Sequence, residues 1–124
     1  LWFKLSATKL EKVPNESLKK AMDYILQNYS KNLTLTTVSE YVHLNPNYLS
    51  TLFTSQLKCS FREYLTKIRI EESKHLLKKS NMGILEIALT VGFESQSYYS
   101  RVFKKLVGLS PKAYRNRVDL NEIF

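Results

Sequence analysis

Apolar residues recur along this chain at helical spacing. Over residues 16–29, Leu18, Ala21, Met22, Ile25, Leu26 and Tyr29 share one face, with Lys19, Lys20, Asp23 and Gln27 opposite, which predicts a helix ended by Lys31-Asn32. Val38, Tyr41 and Val42 make a shorter face, with Thr36 expected as its N-cap, and His43-Leu44 stops it. Asn45-Pro46 reads as a new start, a capping Asn followed by Pro at the first helical position, and Leu49, Leu52, Phe53 and Leu57 form the stripe that follows. Residues 60–79 predict a longer helix on Phe61, Tyr64, Leu65, Ile68, Ile70, Leu76 and Leu77, opened by a Ser60/Glu63 capping box and closed by Asn81-Met82-Gly83. Ile84, Ile87, Ala88 and Val91 mark a short helix broken at Gly92. Ser95 caps one carrying Tyr98, Tyr99, Val102, Phe103 and Leu106, and Ser110-Pro111 opens the last. Residues 1–16 show no period and read as a leader or linker, and residues 119–124 as a C-terminal tail.

The pattern repeats. Shifted by 50 residues, Tyr48 falls on Tyr98, Ser50 on Ser100, Phe53 on Phe103, Ser60 on Ser110 and Tyr64 on Tyr114. The preceding short helices match at a shift of 49, pairing Val38 with Ile87, Val42 with Val91 and Leu44 with Phe93. Two short helices joined by a tight turn are a helix-turn-helix pattern. The expected architecture is therefore all-α, about seven helices in all. A first helix-turn-helix unit covers residues 17–58, a linking helix 59–80 and a second unit 81–118. A helix of about 20 residues spans roughly 30 Å, close to the ~34–36 Å between successive major grooves on one face of DNA.

Composition narrows the function. The 124 residues carry 19 Lys+Arg against 11 Asp+Glu, a formal charge of +8, which suits nucleic acid first and anionic lipid second. Only 3 Gly and 3 Pro occur, too few for a turn-rich β architecture. Cys59 is the only cysteine, so neither an intramolecular disulfide nor a cysteine-based zinc site can form, and a reducing cytoplasm is the expected compartment. No run of about 18 apolar residues exists to span a membrane. His43 and His75 have no metal-ligand spacing, the glycines make no phosphate-cradling motif, and no nucleophile–base pair stands out, so no enzyme, metal or cofactor is expected.

Acidic residues are absent from Tyr41 to Arg62 and again from Ser95 to Val118. Each gap contains the second helix of one unit, as a surface that approaches phosphates requires. The second window carries Arg101, Lys104, Lys105, Lys112, Arg115 and Arg117. Opposite the apolar stripe, the first unit offers Asn47, Ser50, Thr51, Thr54 and Ser55, short groups suited to base edges, phosphates and thymine methyls. The second offers Gln96, Ser97, Ser100, Arg101, Lys104 and Lys105. Arg101 can fork to guanine O6 and N7, and Gln96 can pair with adenine N6 and N7. The expected phosphate contacts are Asn45, Thr54, Tyr98, Ser100, Lys104 and Lys105. Tyr48 and Tyr98 recur at one position, where packing under the turn with a polar tip is the expectation for the ring.

The run from Gly92 to Lys105 (GFESQSYYSRVFKK), continued by Gly108-Leu109-Ser110-Pro111-Lys112-Ala113-Tyr114-Arg115, resembles the signature of the DNA-binding domain of the AraC/XylS family of bacterial transcription regulators. The resemblance reaches back to about Ser17. It implies seven helices with two helix-turn-helix units bridged by a long helix. By position it implies base-facing Asn47, Ser50 and Thr51 in the first unit and Gln96, Ser97 and Arg101 in the second. His43 and Lys58 stand where the family often has Gly, and Tyr99 where it usually has Phe. The resemblance further implies activation or repression of transcription at the bacterial nucleoid, contact with RNA polymerase and an upstream sensory or receiver domain. A homodimer of the longer protein is compatible with it. The chain starts at Leu1 rather than Met, which fits a fragment of a longer protein.

The competing reading is a basic helical module that binds protein or a membrane surface without reading DNA. A membrane-surface helix carries one large apolar face flanked by Lys. Here the apolar faces are short and shared among many helices, as a closed core requires.

Overall fold

The computed structural model describes residues 15–117, and these form seven α-helices with no strand among the described residues. They are α1 (Glu16–Asn28), α2 (Leu35–Tyr41), α3 (Pro46–Leu52), α4 (Phe61–Lys79), α5 (Ile84–Thr90), α6 (Gln96–Val107) and α7 (Pro111–Asn116). Apart from Asn15 and Glu16, the leader lies outside the described residues, as does the C-terminal tail. The chain divides into two compact units, Leu1–Glu71 and Glu72–Phe124, and the division falls inside α4.

Local side-chain chemistry sets most helix starts. The Asn15 Oδ1 accepts the Leu18 N–H at 2.9 Å, and the Ser110 Oγ accepts the Ala113 N–H at 3.1 Å with Pro111 at the first helical position. At α4 the capping box closes both ways: the Ser60 N–H donates to Glu63 Oε1 at 3.0 Å and the Glu63 N–H to Ser60 Oγ at 3.1 Å. One cap differs from expectation. Thr34, not Thr36, caps α2, accepting the Thr37 N–H at 3.1 Å. Thr36 lies in the first turn, where its carbonyl accepts the Ser39 hydroxyl at 2.8 Å.

In the first unit the core joins Leu18, Met22 and Ile25 of α1 to Val38 of α2, to Leu49, Leu52, Phe53 and Leu57, and to Tyr64, Leu65 and Ile68 of α4. The stripe predicted as one helix through Lys58 changes geometry at Phe53. Residues Phe53–Leu57 form a π-helical turn, and Lys58 then takes the left-handed conformation at φ 60°. Both Phe53 and Leu57 are buried across this turn. Tyr41, expected on the apolar face of α2, is 56% exposed and stacks on Tyr24 with ring centroids 4.2 Å apart.

The second unit packs Ile87, Ala88 and Val91 with Phe93, Tyr99, Phe103 and Leu77. Its rings run in series, Phe93–Tyr99 at 5.2 Å, Tyr99–Phe103 at 5.7 Å and Phe103–Tyr114 at 5.6 Å. The equivalent pair in the first unit, Phe53–Tyr64, also stands at 5.6 Å.

Candidate nucleic-acid interface

Each unit turns its second helix outward through the same backbone bonds. After α2, the Leu44 N–H reaches back to the Ser39 carbonyl at 2.9 Å and the His43 N–H to the Glu40 carbonyl at 3.3 Å. After α5, the Phe93 N–H bonds the Ala88 carbonyl at 2.9 Å and the Gly92 N–H the Leu89 carbonyl at 3.2 Å. This closure needs a left-handed residue after the helix, supplied by His43 at φ 59° and Gly92 at φ 109°. The second helices then start on matched caps. Asn45 Oδ1 accepts the Asn47 N–H at 2.8 Å, and Ser95 Oγ accepts the Tyr98 N–H at 3.1 Å. The additional residue in the second turn is Glu94, which explains why the repeat slips from 49 to 50 at this point. Lys58 and Gly108 again share a left-handed conformation where the second helices stop.

On the first of these helices Asn47 and Thr51 are exposed and Ser50 is half-buried, and Thr54 is exposed on the π-helical turn that follows. Three hydroxyls are tied to the local backbone: Thr51 Oγ1 donates to the Asn47 carbonyl at 3.0 Å, Thr54 Oγ1 to the Thr51 carbonyl at 3.1 Å, and the Oγ of the exposed Ser55 to the Leu52 carbonyl at 3.4 Å. With their protons so engaged, these threonines present acceptor lone pairs and methyl groups outward. The Asn45 Oδ1 is occupied by its cap, which leaves the amide nitrogen of this exposed residue as its donor.

Helix α6 is different. Gln96, Ser97, Arg101, Lys104 and Lys105 are all exposed, and Ser100 is half-buried. The Arg101 guanidinium lies over the Tyr98 ring, 5.6 Å from its centroid. Tyr48 and Tyr98 are not core residues: they are 49% and 38% exposed, and the Tyr98 ring packs at a tilt of 59° on Phe93 at 5.9 Å. Leu106, expected inward, is 45% exposed.

Arg115 leaves the set of available cations. Its Nε donates to the Leu77 carbonyl at 3.0 Å, so it satisfies the C-terminal end of α4. Arg69 does the same for α1, with Nε to the Tyr29 carbonyl at 2.8 Å and Nη2 to the Lys31 carbonyl at 2.9 Å. Lys78 donates to the Arg117 carbonyl, and Lys74, Lys78 and Arg117 all lie within 6 Å of the Tyr114 ring centroid, at 5.8, 5.2 and 5.5 Å. Sequence periodicity carries no signal for these bonds, which join residues 35–40 apart.

The buried Tyr99 hydroxyl has no partner in hydrogen-bond geometry among the described residues. Burial pushes its phenol up to about 12, partly offset by the neighbouring Ser73 hydroxyl and the Arg115 charge. Among the described residues no group of three or more His, Cys, Asp or Glu side chains could hold a metal ion, and no helix is long and apolar enough to cross a membrane.

The model of a helix-turn-helix domain family matches residues 38–117. The raffinose operon transcriptional regulatory protein RafR of Pediococcus pentosaceus is 33% identical over 119 residues, 96% of this chain and 43% of that protein. The melibiose operon regulatory protein of Escherichia coli is 39% identical over 94 residues, 76% of this chain and 31% of that protein. The chain thus spans less than half the length of either regulator. Among solved structures, the C-terminal domain of AraT, a response regulator from Geobacillus stearothermophilus, superposes with a TM-score of 0.78 at 37% identity, covering 86% of this chain and 93% of that one.

Proposed function

Because the chain belongs to the AraC/XylS family of helix-turn-helix transcription regulators, we propose that it binds double-stranded DNA sequence-specifically, with one helix of each unit in a major groove, and so regulates bacterial transcription. The family is one of DNA-binding regulators rather than enzymes. The observation that carries the reading is the duplicated turn, which twice presents a helix whose exposed face is free of carboxylates. Asn47, Ser50, Thr51, Gln96, Ser97 and Arg101 face base edges. Asn45, Thr54, Tyr98, Ser100, Lys104 and Lys105 position the helices on phosphates. Helix α4 has 19 residues, about 28 Å of rise, a length that supports one chain addressing two adjacent grooves where other readers use a dimer.

In the longer protein an upstream sensory or receiver domain supplies the signal, RNA polymerase receives it, and a homodimer of that protein places two such domains on DNA. The regulator works in the bacterial cytoplasm, on the nucleoid. Duplex binding measured against salt tests the DNA-reading core of this proposal. The log–log slope is steep, and Lys104→Ala and Lys105→Ala each flatten it by about 0.9. A flat slope, or equal affinity for all duplexes, contradicts the proposal and favours a module that binds protein or a membrane surface.

A further inference from the structure

Arg101 is the charged base reader on α6, and its long side chain loses rotamer freedom when it docks on a base. In this structure it does not start from free solvent. Its guanidinium lies over the Tyr98 ring, one turn earlier on the same helix, 5.6 Å from the centroid. The ring is itself held. The Tyr98 N–H is bonded to the Ser95 cap at 3.1 Å, which anchors the first turn of the helix. The ring packs at a tilt on Phe93, 5.9 Å between centroids, and Phe93 is 4% exposed and packs against the buried Tyr99 at 5.2 Å. An unbroken line of aromatic contacts thus runs from the core of the second unit to the surface and ends under the guanidinium.

The first unit isolates the feature. It repeats the tyrosine, as Tyr48, but carries Thr51 where Arg101 stands, and the Thr51 hydroxyl bonds its own helix. The tyrosine is therefore compatible with the fold in both units, while a cation lies over it in one.

We infer that Tyr98 is a positioning residue for DNA reading, its ring holding the Arg101 guanidinium pre-ordered over the base-facing side of α6. The inference rests on the DNA-reading function proposed above and adds to the phosphate contact of the Tyr98 hydroxyl, since ring and hydroxyl can act separately. An exposed cation–π contact corresponds to about two- to five-fold in an equilibrium constant.

The test uses a duplex selected by the wild-type chain and the same duplex altered at the base pair whose preference Arg101→Ala relaxes. Tyr98→Leu keeps an apolar contact for Phe93 but removes the ring, and it lowers the discrimination ratio at that base pair about two- to five-fold. Tyr98→Phe keeps the ring and the discrimination, losing only affinity shared by all sequences. In an Arg101→Ala background, Tyr98→Leu leaves the ratio unchanged. Unchanged discrimination in Tyr98→Leu, or uniform affinity loss of equal size in Tyr98→Leu and Tyr98→Phe, overturns the positioning role while leaving DNA reading intact. A wild-type chain that prefers no duplex overturns both.

Discussion

Leu44 bonds Ser39 as Phe93 bonds Ala88, His43 takes the left-handed turn as Gly92 does, and Phe53 meets Tyr64 at the same 5.6 Å as Phe103 meets Tyr114. On the exposed faces the two units part. Helix α3 and its π-helical extension carry no charged residue before Lys58, and three of their hydroxyls, those of Thr51, Thr54 and Ser55, bond their own backbone. Helix α6 carries Arg101, Lys104 and Lys105 on one exposed face. Under the proposed DNA-reading function, the same scaffold would support two kinds of reading. One is short-range, through methyl groups, acceptors and shape. The other is charged and able to fork onto a guanine. A turn and its cap fix where a helix points, whereas its exposed residues set how much it discriminates.

The largest effects address what the units share. Phe53→Ala and Phe103→Ala each remove a fully buried ring, and each is expected to cost about 3–5 kcal/mol in thermal or denaturant unfolding. A cost confined to one of them breaks the structural equivalence. Next, a single alanine inserted between Glu71 and Glu72 turns the second half of α4 by about 100°. It should lower specific affinity by about 100-fold or more, towards the non-specific level. Unchanged specific binding contradicts the use of α4 as a rigid spacer.

The difference between the units sets the smaller effects. Arg101→Ala should cost about 1–3 kcal/mol and relax choice at one base pair. Thr51→Val, at the equivalent position, keeps the methyl contact and should cost less than about 1 kcal/mol in binding. Equal costs erase the difference between the two units. Smallest is Tyr99→Phe, which removes a buried hydroxyl without a bonded partner and should change stability by no more than about 1 kcal/mol at neutral pH. The sign with pH follows from a folded pKa of about 12 against the ordinary phenol value of about 10. The phenol is neutral in both states below 10. Above it the unfolded chain ionises first, so stability falls between pH 10 and 12, and Tyr99→Phe blunts that fall in an alkaline unfolding series.

Most of the fold was legible because its signals are local. Asn45-Pro46, Ser60 with Glu63, Ser95 and Ser110-Pro111 each name a helix start by side-chain chemistry within three residues. Where such signals crowd, they mislead: Thr34, Thr36 and Thr37 all can cap α2, and half-burial of Leu35 favours the first. The π-helical turn at Phe53 answers to packing against Phe61 and Tyr64, which helical periodicity does not contain. At the candidate interface, residue type and spacing named the exposed set apart from Ser50 and Ser100, which are half-buried. They could not show that Arg115 is committed to the α4 carbonyls, or that Tyr98 lies outside the core beneath Arg101.

Selecting duplexes from a random pool with the wild-type chain and with Arg101→Ala measures the division of labour directly. Two enriched sub-sites about 10–10.5 base pairs apart are expected, one sharply defined and one weak. The substitution should flatten one position of the sharp sub-site and leave the weak one untouched. No enrichment, a single sub-site, or a profile indifferent to Arg101 would contradict two unequal readers on one duplicated scaffold.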